Sequence, residues 1–146
     1  MDVHLAYLAG VLDSDGCINI DRWKDSRKKK RMQYIVRIQV SVTAKETTDW
    51  LEKHFDGSTR IVKREAPCRD IYYWRTSGMK AIELLMRVKD YLVLKRPRAE
   101  LAIKFKDYLL TRKESRESSS EELRNKVKRE KELIYNQMAV LNKRGK

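Results

Sequence analysis

Acidic side chains are in short supply here: 21 Asp and Glu stand against 34 Lys and Arg, leaving a formal net charge of +13 on 146 residues. Such an excess on a small chain favours a polyanionic partner, nucleic acid first and an acidic membrane surface second. Cysteine is scarce as well. Cys17 and Cys68 form no C-x-x-C pair and have no neighbouring His pattern, which excludes a zinc site of the usual spacing. Two free thiols in a reducing compartment is the reading they support. Long hydrophobic runs are missing too. The N-terminal stretch MDVHLAYLAGVLDSDG is too short to span a bilayer, is interrupted by acids, and lacks the basic start of a signal peptide. The expectation is a soluble, intracellular protein with no membrane partner and no small-molecule substrate. With no internal repeat and this length, one domain with one modest core is expected.

Basic residues could serve solubility alone. Arg37, Arg60, Lys63 and Arg64, however, recur inside strand-like segments, where solubility has no need of them, so DNA leads. Leu5 to Leu12 reads as a short helix, with Gly16 as a left-handed stop after it. Cys17 to Trp23 alternates as a half-buried strand, and Lys24 to Arg31 is a charged loop. Gln33 to Val42 is the clearest strand, with Val36, Ile38, Val40 and Val42 on one face and Ile35, Arg37, Gln39 and Ser41 on the other. Thr43 to Glu46 has the form of a capping box opening a helix that runs to about Phe55. Strands over Thr59–Arg64 and Ile71–Thr76 follow, joined by a turn around Pro67, and then a helix from Ser77 to about Tyr91 with Ile82, Leu85 and Met86 inward.

Pro97 suits the first turn of a further helix, striped by Leu101, Phe105, Tyr108 and Leu109. Residues 112–118 read as a polar linker. Ser119 to Glu122 is a second capping box, opening a C-terminal helix with Leu123, Val127, Ile134, Met138 and Leu141 along one side. The order predicts an α+β domain with one antiparallel sheet. The expected divisions are a core over 1–111, a linker over 112–118 and a helix within 119–146 that packs on the core.

The stretch Leu8-Ala9-Gly10-Val11-Leu12-Asp13-Ser14-Asp15-Gly16 resembles the nine-residue signature of the LAGLIDADG homing endonucleases, departing at Val11, Leu12 and Ser14. Tyr7 before it and Cys17-Ile18 after it resemble the family's flanks. Over roughly residues 5–110 the element order also resembles that of the family. The resemblance implies an αββαββα domain with a four-stranded antiparallel DNA-binding sheet, helices on its other face and an extra C-terminal helix. A single motif further implies a homodimer acting on double-stranded DNA.

The residues fit that picture on physical grounds. Ala6, Ala9, Gly10 and Asp13 recur at three- and four-residue steps and give one helix face almost no bulk, as a close helix–helix interface requires. Packing of that helix on its own sheet would use the same residues. A symmetric pair would bring two Asp15 carboxylates together at a helix C-terminus, where the dipole is already negative. A hard cation relieves that repulsion, so Asp15 is the expected metal ligand and Mg2+ the expected cofactor, with Mn2+ as a substitute. The resemblance adds the Ser14 carbonyl as a helper and places Lys95, in Leu92-Val-Leu-Lys95, as a catalytic group at the scissile phosphate. Arg96 and Arg98 stand as alternatives, and Asp13 reads as a structural cap. Where the family often carries a water-positioning Gln, this sequence has Ala44, with Lys45 beside it.

Candidate base readers on strand faces opposite apolar neighbours are Asn19, Asp21, Arg37, Gln39, Ser41, Lys63 and Tyr72; Arg37 suits guanine and Gln39 adenine. Lys28, Lys29 and Lys30 suit phosphates, which add affinity and salt dependence without sequence preference. Trp23 and Trp74 fit either the sheet surface or the core. The function implied is a site-specific endonuclease that hydrolyses both strands of a long, pseudo-palindromic target, leaves 3′ overhangs and promotes intron or intein mobility. The alternative is a non-catalytic maturase that binds intron RNA. A basic adaptor carrying the nonapeptide is a third reading, which a strictly monomeric chain would favour.

Overall fold

The computed structural model describes residues 1–27, 31–118 and 120–143. Helix α1 (Val3–Asp15) starts where the Asp2 carboxylate accepts the amides of His4 and Leu5. Strands β1 (Gly16–Asp25) and β2 (Arg31–Val42) form a long antiparallel ribbon, with Ile18 opposite Ile38 and Arg22 opposite Tyr34. Helix α2 (Lys45–His54) leads to β3 (Ser58–Val62) and β4 (Ile71–Ser77). Helix α3 (Met79–Val88) passes through a 3-10 turn (Lys89–Tyr91) into α4 (Arg96–Ser118), and α5 (Glu121–Asn142) closes the order. The sheet order is β1-β2-β4-β3, all antiparallel. This is the α+β, αββαββα order that the sequence predicts, with α4 and α5 following it.

Alternation along the strands decides which face is covered. Ile18, Ile20, Val36, Ile38, Val40 and Trp74 all point to one side and are fully buried against Leu8 and Leu12 of α1, Ile82 and Leu85 of α3, and Phe105 of α4. Burial of each such side chain is worth about 1.5–3 kcal/mol before entropy is counted. Ile134 and Met138 bring α5 into the same core. Among the described residues the opposite sheet face carries no helix, and it is half-buried to exposed along β1 and β2.

Several local details differ from the sequence reading. Gly16 is extended (φ −87°), because β1 begins at once; glycine is needed there since a Cβ would stand 2.6 Å from Leu12 Cα. Ala44, not Thr43, is the N-cap of α2, with no side-chain cap bond, and Ser120, not Ser119, caps α5 by accepting the Leu123 amide. Met86 is exposed while Ile82 and Leu85 are buried. The backbone over 112–118, expected as a linker, continues α4. Along α5 only Ile134 and Met138 of the expected stripe are buried; Leu123 and Leu141 are exposed.

Candidate nucleic-acid interface and the end of the first helix

The end of α1 is held by an exchange of hydrogen bonds with the chain that enters α4. Both oxygens of the Asp13 carboxylate point at that segment and accept the amides of Val93 (2.8 Å), Leu94 (3.2 Å) and Lys95 (2.9 Å). In return the Lys95 ammonium donates to the carbonyls of Leu12 (2.5 Å), Asp13 (3.1 Å) and Gly16 (2.6 Å). Burial works to raise the Asp13 pKa, but the three amides and the lysine outweigh it and hold the carboxyl below its ordinary value. Burial, reinforced by Arg98, lowers that of Lys95, while Asp13, Cys17 and Asp15 oppose the shift. Arg96 pairs with Glu100 and Asp90, and Arg98 donates to Asn142 Oδ1 and the Leu141 carbonyl. Neither arginine stands free to take over the role expected of Lys95.

Asp15, the last residue of α1, is exposed, and among the described residues its carboxylate accepts only the Ser14 hydroxyl (3.1 Å). That hydroxyl also reaches back to the Gly10 and Val11 carbonyls. Among the described residues no group of three or more His, Cys, Asp or Glu side chains is placed to hold a metal. One chain therefore offers a single carboxylate, next to backbone carbonyls at a negative helix end. Those are hard oxygen donors of the kind Mg2+ takes, and Mg2+ commonly completes its shell with water and substrate oxygens.

Of the small residues of α1, Ala9 is buried in the chain's own core and Asp13 is engaged with 93–95, whereas Gly10 is open: a Cβ there would meet nothing within 4 Å. Ala6 is half-buried. Exposed apolar side chains occur on α1 itself, at Val3 (65%) and Tyr7 (50%), and on the segment that binds Asp13, at Val93 (81%) and Leu94 (68%).

The register fixes what the uncovered sheet face displays. Asn19 stands opposite Arg37 and Asp21 opposite Ile35, with Gln39 and Ser41 next along β2. Arg37 pairs with Asp21 (3.2 Å), and the Asn19 amide approaches the same carboxylate oxygen (3.4 Å). Trp23 lies on this face and is exposed, whereas Trp74 is buried. Tyr72 is opposite Val42 and Ile61, so its alternation places it on the helix side, against expectation. Lys63 follows the end of β3 and is exposed in the loop. Lys28, Lys29 and Lys30 lie outside the described residues.

The neighbours of Tyr72 are what sequence reasoning missed. Arg75 lies opposite Gln39 and donates to its Oε1 through Nε (3.2 Å) and Nη2 (2.8 Å), while Gln39 Nε2 approaches Ser41 (3.3 Å). Arg60 sits over the Tyr73 ring at 5.1 Å. Asn142 also joins this face from the far end of the chain, donating to Asn19 Oδ1. Only the alternation of β4 could have pointed to Tyr73 and Arg75. Nothing local marks Asn142.

No protein-family model matches the sequence, and no curated protein matches it. Solved structures do. The homing endonuclease I-CvuI, in complex with its target in the presence of Ca, aligns with TM-score 0.73 at 22% identity, over 99% of this chain and 85% of that one. The archaeal intron-encoded homing endonuclease I-Vdi141I, complexed with DNA, aligns with TM-score 0.74 at 12% identity, over 99% and 87%. The chain has the LAGLIDADG homing-endonuclease fold. A third structure, the group I intron-encoded endonuclease I-CeuI complexed with DNA, agrees at TM-score 0.63 and 19% identity, over 94% and 67%. In this LAGLIDADG fold the nonapeptide supplies the C-terminal part of α1 and the first residue of β1, and Asp15 lies where α1 turns into the first strand of the sheet. None of the described helices is long and apolar enough to cross a membrane.

Proposed function

We propose that this protein is a site-specific endonuclease of double-stranded DNA, acting as a homodimer with a divalent metal. The observation that carries the reading is Asp15: an exposed carboxylate at the end of the motif helix, beside an uncovered sheet face that bears Arg37, Gln39 and Arg75. The structures that share its fold are homing endonucleases, several of them solved in complex with DNA.

Pairing of two α1 helices through the open face at Gly10 would set one Asp15 from each subunit together and give the site its second carboxylate. Asp15 and the Ser14 carbonyl would hold the metal, which Lys95 leaves room for by binding the carbonyls of Leu12, Asp13 and Gly16 instead. Mg2+, or Mn2+ in its place, would lower the pKa of the attacking water and offset charge on the phosphate. Each strand is cut by hydrolysis: a water oxygen bonds to phosphorus as one P–O ester bond breaks, and staggered cuts leave 3′ overhangs. Arg37, Gln39, Asn19 and Arg75 present donors and acceptors suited to base edges in the major groove. Lys63 and the lysines at 28–30 suit phosphates. A pair of identical sheets calls for a long, pseudo-palindromic target, and intron or intein mobility is the biological use such cutting serves.

The test is purified protein with Mg2+ and a randomised or genomic DNA library. Wild type is expected to cut a discrete site, and Asp15→Asn to bind that site without cutting it. No cleavage of any sequence, or an Asp15→Asn variant as active as wild type, overturns the reading. Ala44 favours one second reading, an intron-RNA maturase, since its methyl has no donor or acceptor to orient a water. Preference for structured intron RNA over duplex DNA, undiminished by Asp15→Asn, would establish that role instead.

A further inference from the structure

We propose that Lys95 is a positioning residue: its ammonium binds the backbone on both sides of Asp15 and so sets where that carboxylate stands. The consequence for catalysis rests on the nuclease reading above.

The argument is one of saturation and reciprocity. An ammonium has three protons. Lys95 has three acceptors within 3.1 Å, all backbone carbonyls: Leu12 and Asp13 before Asp15, Gly16 after it. An ammonium so engaged has no proton left to aim at a phosphate oxygen. Its attachment points straddle the helix-to-strand turn, where the peptide planes that orient Asp15 change direction from α1 to β1. The opposite contact locks the lysine itself: Asp13 binds the amides of Val93, Leu94 and Lys95, fixing the backbone from which the side chain springs. Two segments some 80 positions apart thus hold each other through a carboxylate in one direction and an ammonium in the other. Among the described residues, Asp15 itself has only the Ser14 hydroxyl to orient it. Its placement is delegated to the backbone, and the backbone to Lys95.

The experiment compares wild type, Lys95→Met and Asp13→Asn in single-turnover cleavage of the selected target across Mg2+ concentrations and pH. Loss of a group that orients a metal ligand weakens the metal, so both variants are expected to need about tenfold more Mg2+ for half-maximal rate. Both should recover most of the wild-type rate at saturating Mg2+, with a pH profile parallel to wild type. A Lys95→Met rate that stays about 100-fold low at saturating Mg2+, with an unchanged Mg2+ midpoint, would show a lysine acting directly on the phosphate and overturn the proposal.

A readout independent of cleavage separates the two claims. Amide hydrogen exchange in the full-length chain should quicken at 13–16 in Lys95→Met, and at both 93–95 and 13–16 in Asp13→Asn. Mn2+ should broaden the amide resonances of residues 14–16 less in each variant than in wild type. If wild type cuts nothing, the nuclease reading falls while these measurements still judge the clamp. Unaltered exchange at 13–16 in both variants overturns the clamp even if the enzyme cuts.

Discussion

Asn142, in the last turn of α5, donates its side-chain amide to Asn19 Oδ1 (3.3 Å) and to the Ile18 carbonyl (3.1 Å) on the edge strand of the sheet. Arg98 of α4 holds the other side of that amide at 2.9 Å. A chain of polar contacts therefore runs from α4 through α5 to Asn19, Asp21 and Arg37 on the uncovered face. Asn142→Ala removes three part-buried hydrogen bonds and should lower stability by about 1–3 kcal/mol. It should also relax discrimination at the base pairs facing Asn19 and Arg37, read as relative binding across single-substitution targets. An unchanged specificity profile would show that Asn142 only anchors α5.

Gly10 gives the sharpest test of pairing. Since a Cβ added there meets nothing within 4 Å and opens to free space, Gly10→Arg should leave the monomer folded, and even gain up to about 1 kcal/mol of helix propensity. Sedimentation is expected to give a dimer for wild type and a monomer for the variant, with cleavage lost. A dimer that survives Gly10→Arg would place the interface elsewhere.

On the sheet face, Arg75→Ala should weaken target binding by about 1–3 kcal/mol if the guanidinium reads a base. It should also free the Gln39 oxygen that Arg75 now engages. Measuring affinity against salt concentration sorts the cases: a fall spread evenly over all sequences, with a shallower slope, would mark Arg75 as a phosphate contact.

Glu132 of α5 accepts from both Arg22 and the Tyr34 hydroxyl, and Arg22 lies 4.4 Å over the Tyr135 ring. Burial first, then Glu132, pushes the Tyr34 phenol up from 10.0 to about 12. A raised pKa means that the protonated form is favoured in the fold. Its contribution is therefore complete below the unfolded value near 10 and disappears as pH rises through about 12. Urea unfolding of wild type and Tyr34→Phe should differ by a constant amount through neutral pH, and the gap should close between those two values. A gap indifferent to alkali would mean that the hydroxyl adds nothing.

How much of this is written locally depends on the interaction. The alternation of β2 alone separates Val36, Ile38 and Val40 from Arg37, Gln39 and Ser41, and the structure keeps that division. In β4 the run Tyr72-Tyr73-Trp74 gives both faces an aromatic, so parity has no apolar–polar contrast to follow; Tyr72 falls on the helix side and Tyr73 on the open one. The end of α1 is legible as a motif, but its support is not. Asp13 and Lys95 meet across 82 positions, and Asn142 and Asn19 across 123, through polar contacts that no periodicity announces. Residues 112–118 lack an apolar stripe, yet the backbone stays helical there. The stripe reports what a helix packs against, not whether the backbone coils.

The ribbon formed by β1 and β2 has a further consequence. At about 3.3 Å per residue, the 12 residues of β2 extend for about 40 Å, more than twice the reach of five-residue β3. Were β2 laid along duplex with a rise of 3.4 Å per base pair, as the proposed function requires, it would span about 12 steps. On the proposed DNA-reading role the strand would be a ruler as well as a reader, because the stretch of duplex one copy could inspect would be capped by how far β1 and β2 stay paired. Swapping side chains would rewrite the letters recognised, but a longer word would demand a longer hairpin.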